Sequence, residues 1–182
     1  SHVAGERTLS SRCVFEGVRL RVRIDTVRTP AGGEATREIV DSGDAVVMVP
    51  VDNEGRLLLV RQYRQAAGRE LLELPAGMID PGEDAEATVV REMQEATGYR
   101  PGRVVRLGGF YSAPGFCTEY LHLYLATDLV PSRLQAEDTA GISLLRLTPD
   151  EVRRRVVAGE VEDAKTLAGL HLYLEHGRPA GG

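Results

Sequence analysis

Residues 18–25 run VRLRVRID, with Val18, Leu20, Val22 and Ile24 alternating against Arg19, Arg21 and Arg23. Period-two alternation predicts a half-buried strand, its arginines on a solvated outer face rather than against phosphate or a partner subunit. After the turn-rich TPAGGE (29–34) comes REIV, then the apolar runs AVVMVPV (45–51) and RLLLVRQY (56–63), separated only by DNEG. Two unbroken apolar runs flanking a tight turn predict a buried central hairpin. LLELPAG (71–77) predicts one short strand ended by Pro75 and Gly77. From Asp84 to about Thr97 there is no Gly or Pro, and Val89 and Met93 fall at i, i+4. A helix is expected there, with acids in its first turn and Gly98 as its C-terminal stop.

VVRLGGFYS (104–112), YLHLYLATDL (120–129) and ISLLRL (142–147) read as further strands, the second with Leu121, Leu123 and Leu125 opposite His122 and Tyr124. Thr148-Pro149-Asp150-Glu151 combines an N-cap, a proline at the first helical position and a capping-box glutamate, so a helix runs to about Ala158. A last helix is expected from Asp163 to His176, its stripe Leu167, Leu170 and Leu174 serving core or dimer packing. Strands enclosing a few helices make a mixed α/β layered domain, with no internal repeat and the first forty residues forming a small separate sheet.

Composition narrows the function classes. At 182 residues, 42% hydrophobic and 27% charged, the chain fits one globular domain. No run approaches the ~20 apolar residues that span a bilayer, and no secretory pattern opens the chain, so a cytoplasmic protein is expected. Ser1-His2 reads as a vector remnant. A net charge of -5 argues against nucleic acid as partner. Cys13 and Cys117 form no CxxC pair and the four histidines no HxH or HxxxH spacing, so zinc and a disulfide framework are not expected. His122 reads as a satisfied or exposed strand residue, and there is no P-loop or GxGxxG.

REMQEATGY (91–99) carries the chemistry. Glu92 and Glu95 lie three apart on one side of a helix, while Ala96 holds the i+4 place on the Glu92 face. Read alone, Arg91 and Glu95 would be an ordinary i, i+4 surface pair. The full segment GMIDPGEDAEATVVREMQEATGY (77–99), however, resembles the Nudix box: a glycine, five residues, Glu, seven residues, then Arg-Glu-apolar-x-Glu-Glu-x-Gly-apolar. Gly77, Glu83, Arg91, Glu92, Met93, Glu95 and Gly98 match in type and spacing; Ala96 breaks the pattern and Tyr99 fills the last apolar place loosely.

The resemblance implies a Nudix-like α/β/α sandwich with a small N-terminal antiparallel sheet: residues 1–42 as dimerisation strands and 43–182 as the catalytic domain. It implies a homodimer and a Mg²⁺ cofactor, with Mn²⁺ as alternative. Glu92 and the Ala76 carbonyl would be metal ligands, Glu95 a ligand or its support, and Arg91 and Glu83 would fix loop and helix. The flanks VRQYRQAAGRELLELPAG and SAPGFCTEYLHLYLA resemble the ADP-ribose pyrophosphatases specifically, including Pro114, fifteen residues past the box. By that likeness Arg64 is a candidate for the diphosphate or terminal ribose, Glu38 for adenine, and Glu119 for a polar place near the metal.

Two acids of the pattern are missing. Ala96 replaces a metal-binding glutamate, and alignment on ISLLRL puts Ala140 where a catalytic glutamate is expected, leaving Glu137 and Asp138 in the same loop as substitutes. The resemblance therefore implies slow hydrolysis of ADP-ribose or a related nucleoside diphosphate sugar to AMP and ribose 5-phosphate. A nucleotide-binding module without turnover is the alternative, and replacement of two glutamates by alanine through engineering would leave the same sequence.

Overall fold

The computed structural model describes residues 5–136 and 139–178, arranged as two compact units. One unit is the chain up to Asp44 together with Tyr111–Tyr120; the other is Ala45–Phe110 with the chain from Leu121 onward.

The first unit is an antiparallel sheet, β1 (Arg7–Glu16), β2 (Leu20–Arg28) and β3 (Glu34–Ser42), in that order. Val40 of β3 bridges in parallel to Cys117, exchanging hydrogen bonds with Phe116 O at 2.7 Å and Thr118 N at 3.0 Å. The expected half-buried face of 18–25 holds at Val22 and Ile24, which are partly buried, and is corrected at its start. Val18 and Leu20 are exposed, as are Leu9, Val14 and Phe15, whereas the buried β2 residues are Asp25 and Val27. Nor is Arg23 simply solvated, since it is paired with both Asp25 and Asp41.

In the second unit the expected central hairpin is replaced by a fork. β4 (Ala45–Pro50) joins the sheet β7-β4-β9-β8, and β5 (Leu57–Arg64) joins the sheet β10-β5-β6. β4 and β5 share a single bridge, Val51 to Leu57 beside the turn. β4 throughout and β5 over Leu57–Val60 are apolar and buried on both faces, so each takes an interior place in a sheet of its own. β4 lies parallel to β9 (Tyr120–Pro131) and antiparallel to β7 (Ala76–Met78). β5 is flanked by β6 (Arg69–Glu73) and β10 (Ser143–Leu147), and β8 (Tyr99–Tyr111) is the outer strand beside β9. LLELPAG is thus two strands broken at Leu74-Pro75, with Pro75 O accepting from Met48 N at 2.9 Å.

Alternation along these strands feeds two cores. Val47, Val49, Leu57, Leu59, Leu121 and Leu123 pack with Val152 of α2 (Pro149–Val157) and Leu170 of α3 (Ala164–Glu175). Val46, Met48, Leu58 and Tyr124 pack with Val89 and Met93 of α1 (Ala85–Ala96). Strands between helices on opposite faces give the α/β/α layering. Thr148 and Glu151 form the expected capping box of α2. Of the leucine stripe of α3 only Leu170 joins the core, with Thr166 and Gly169 buried beside it, while Leu167 and Leu174 are exposed. A Cβ on Gly169 would lie 2.8 Å from Leu74 Cδ1 and 3.1 Å from Leu123 Cδ1, so glycine sets how closely α3 approaches the strands.

Gly169→Val is therefore expected to destabilise the fold by about 1–3 kcal/mol through overpacking. Thermal melts should show Tm lower by roughly 2–4 °C per kcal/mol. An unchanged Tm would mean that this contact is loose.

Candidate active site

Helix α1 starts where Asp84 caps it, accepting from Ala87 N at 2.7 Å, and stops at Thr97 followed by Gly98 with φ +78°. The helix is tied to the preceding loop by Arg91, its seventh residue. Arg91 Nε and Nη2 donate to the two Glu83 oxygens at 2.9 Å each, a fork-to-fork pair that a lysine could not make. Nη2 also donates to Met78 O at 3.1 Å, fastening the helix to β7. Thr88 Oγ1 donates to Glu83 at 2.6 Å. These bonds, the Arg91 contact foremost, hold the Glu83 carboxyl at about 2, against an ordinary 4.5. In turn, Glu83 and the neighbouring Glu92 raise the Arg91 guanidinium further above its usual range.

The remaining arm, Nη1, donates to Glu92 Oε1 at 2.9 Å and Glu95 Oε2 at 3.3 Å. Their side chains are only 16% and 15% exposed, so two poorly hydrated carboxylates are aligned on one guanidinium. Gly77 makes room for this. A Cβ there would stand 1.9 Å from Glu92 Cδ and 2.1 Å from its Oε1, so only a residue without a side chain lets the carboxylate lie against β7. Ala76, next to Gly77, is opposite Val47 in the β4–β7 pair. Ala96 is the half-buried last residue of α1, and no group of three or more His, Cys, Asp or Glu residues suited to a metal occurs among the described residues. Glu137 and Asp138 lie outside the described residues. Ala140 is exposed in the turn where Ile142 N donates to Thr139 O at 3.2 Å.

Could these residues hold a divalent cation? Four carboxylates, Glu83, Glu92, Glu95 and the exposed Asp80 at 3.5 Å, share one guanidinium, leaving a local excess of negative charge. All the side-chain donors are hard oxygens, and Gly77 keeps the backbone open beside Glu92. A set of two carboxylates with a backbone carbonyl fits an ion that retains several waters.

Arg64, at the end of β5, is engaged otherwise than expected for a free anion ligand. Its Nε and Nη2 donate to Glu73 Oε2 and Oε1 at 2.8 and 2.9 Å, although its side chain stays 41% exposed. Glu73 is fully buried and also accepts from Lys165. Burial alone would raise the Glu73 carboxyl; Arg64 and Lys165 outweigh it and hold it below the ordinary range. Lys165 also reaches Asp163 Oδ2 at 3.0 Å, and Asp163 accepts from Thr166 Oγ1 at 2.6 Å. Thr166 Oγ1 in turn accepts from Leu74 N at 2.9 Å. Sequence reasoning missed Glu73 and Lys165. The available signal was compositional: Lys165 is the single lysine among 22 basic residues.

The other candidates belong to the first unit. Glu38 is exposed on β3 opposite Ile24, two residues from Val40. Pro114 is exposed in the turn in which Cys117 N donates to Ala113 O at 2.9 Å, and half-buried Glu119 accepts from Ser112 N through its carbonyl at 3.3 Å. The Val40–Cys117 bridge brings the strand of Glu38 beside the turn of Pro114.

Because Glu83 is far more acidic folded than unfolded, its ionisation stabilises the fold fully above about pH 4.5, and that contribution is lost as pH falls toward 2. Glu83→Gln should lower Tm at neutral pH, with the gap to the wild type closing as pH falls through that window. Melts of both proteins at a series of pH values check this; a gap independent of pH would assign the loss to packing.

Residues 41–168 match the NUDIX domain. The chain is 32% identical over 172 residues to an ADP-ribose pyrophosphatase of Bacillus subtilis, covering 93% of this chain and 92% of that one. It is 37% identical over 166 residues to an ADP-ribose pyrophosphatase of Mycobacterium tuberculosis, covering 90% and 80%. A crystal structure described as an ADP compounds hydrolase superposes with a TM-score of 0.87 at 21% identity, over 96% of this chain and 95% of that one, and so shares its fold. The mixed α/β architecture and the box resemblance are both borne out, and the chain belongs to the NUDIX domain family as a Nudix hydrolase.

Proposed function

We propose that this enzyme hydrolyses the diphosphate bond of ADP-ribose, or of a related nucleoside diphosphate sugar, to AMP and ribose 5-phosphate. The observation that carries the reading is the Arg91 hub, which aligns Glu92 and Glu95, with Glu92 lying against Gly77 and negative charge to spare. Named likeness to two ADP-ribose pyrophosphatases supports the substrate class. Glu92, Glu95 and the Ala76 carbonyl would hold Mg²⁺, or Mn²⁺. When bound, the ion supplies positive charge against the phosphate oxygens and lowers the pKa of a bound water. Arg91 keeps both carboxylates in place, and Glu83 keeps Arg91 in place. Arg64 donates to the diphosphate or the terminal ribose, Glu38 meets adenine, and Pro114 and Glu119 shape the remaining substrate contacts. Glu137 and Asp138 are the candidates for accepting the proton of water. With alanine at 96 and 140, turnover is slow: loss of a general base costs about 10²–10⁴ in rate.

The test is AMP release from ADP-ribose with Mg²⁺, beside a binding titration, with UDP- and GDP-sugars in parallel. Ala96→Glu adds an acid at i+4 to Glu92 and should tighten Mg²⁺ binding, and adding Ala140→Glu should raise turnover non-additively. Cleavage of another nucleoside diphosphate with ADP-ribose ignored would sink the substrate assignment. Binding without AMP release, in the wild type and both variants, would instead make the chain a nucleotide-binding module.

We further propose a homodimer formed through the N-terminal sheet. Exposed Leu9, Val14, Phe15, Val18 and Leu20 on β1, β2 and their turn are apolar surface that a second subunit would cover. Light scattering at micromolar concentration should give twice the 19.8 kDa of one chain, because a stable interface buries over ~1,000 Å². A monomer at that concentration overturns it.

A further inference from the structure

Burying Glu73 between two cations is difficult to justify by stability. Its neighbours Leu72 and Leu74 are core residues, and replacing a buried ion network with apolar side chains is often neutral or stabilising. The choice of cation is also specific. In a chain that uses arginine for every other basic side chain, the lone lysine stands at the first turn of α3 with its side chain 16% exposed, bonded to Glu73 and Asp163. Lysine offers a compact ammonium with three donors, two of them spent here. Arg64 spends Nε and one Nη2 hydrogen on Glu73, and its Nη1 makes no hydrogen bond among the described residues. Two cations meeting on one carboxylate thus both retain donors.

Glu73 lies three residues before Ala76, so chain geometry puts its Cα within about 11 Å of the start of β7, where Gly77 receives Glu92. The bond from Leu74 N to Thr166 Oγ1 fixes the first turn of α3 to that same stretch.

We propose that Lys165 is a phosphate ligand of the active site, forming with Arg64 a two-cation grip on the substrate diphosphate. Glu73 is the positioning residue that holds both cations. The assignment rests on the diphosphate-hydrolase reading above and adds Lys165 and Glu73 to it.

Inorganic pyrophosphate, titrated calorimetrically in EDTA against the full chain, probes the grip apart from metal and turnover. Lys165→Gln should weaken pyrophosphate binding about 10–100-fold, the worth of one charge-assisted hydrogen bond, and raise KM for ADP-ribose more than it lowers kcat. Glu73→Gln should weaken pyrophosphate binding too, and the double variant should lose less than the two single losses combined. A purely structural network would lower Tm while leaving the pyrophosphate affinity of the folded protein unchanged, and that result overturns the proposal, as does a wild type that does not bind pyrophosphate.

Should the variants fail to fold, the wild type still decides. Amine-selective acetylation read by peptide mass spectrometry reports on one lysine alone, and saturating pyrophosphate must slow it. Labelling unaffected by pyrophosphate, or no labelling in either state, overturns the grip. Pyrophosphate binding through Lys165 with no cleavage of ADP-ribose would reject the substrate reading and keep the grip. Wild-type KM and pyrophosphate affinity in a folded, active Lys165→Gln would do the reverse.

Discussion

Everything in the site depends on how one guanidinium is divided. Arg91 gives two donors in parallel to Glu83, one contact to the Met78 carbonyl and one shared arm to Glu92 and Glu95. The Glu83 pair joins loop to helix, the Met78 contact joins helix to strand, and the Nη1 contacts turn that rigidity into carboxylate alignment. Only a planar, always-charged group with donors pointing in several fixed directions can do this at once. Charge follows from geometry: one cation among four carboxylates, Asp80 included, holds them together without neutralising them, so the site is both ordered and attractive to a divalent ion.

Local signals in the sequence were legible because they depend on few residues. Asp84 and Gly98 delimit α1, and Thr148 with Glu151 opens α2, by contacts within one turn of each end. The spacing from Gly77 to Gly98 was likewise readable, since it encodes a strand, a loop and three turns of helix. Its reason was not. That Gly77 must lack a side chain because Glu92 occupies the place of its Cβ is a contact across fifteen residues, visible only in three dimensions.

The misread strands share a cause. Apolar runs at 45–51 and 56–63 are compatible with a hairpin or with two interior strands, because periodicity reports burial on both faces and says nothing of which neighbour supplies it. Here the neighbours are β7 and β9 on one side of the fork and β6 and β10 on the other, all distant or later in the chain. The opposite error arose at Val18 and Leu20, where alternation signalled a covered face that a single chain leaves open. Alternation records that a face is suited to burial, and the covering surface need not belong to the same molecule.

Glu73 and Arg91 show two uses of the same chemistry, a single charge dividing itself among several of the opposite sign. At Glu73 one carboxylate orders two cations; at Arg91 one cation orders two further carboxylates. The arrangements lie at either end of the short stretch from Glu73 to Gly77, and that stretch is pinned on one side by Thr166 and packed on the other against Glu92. A diphosphate carrying a divalent ion needs both signs of charge, held a fixed distance apart and not allowed to collapse onto each other. On the proposed reading, the few residues of backbone joining the two clusters would keep them apart, each central group being already paired with the charges nearest to it.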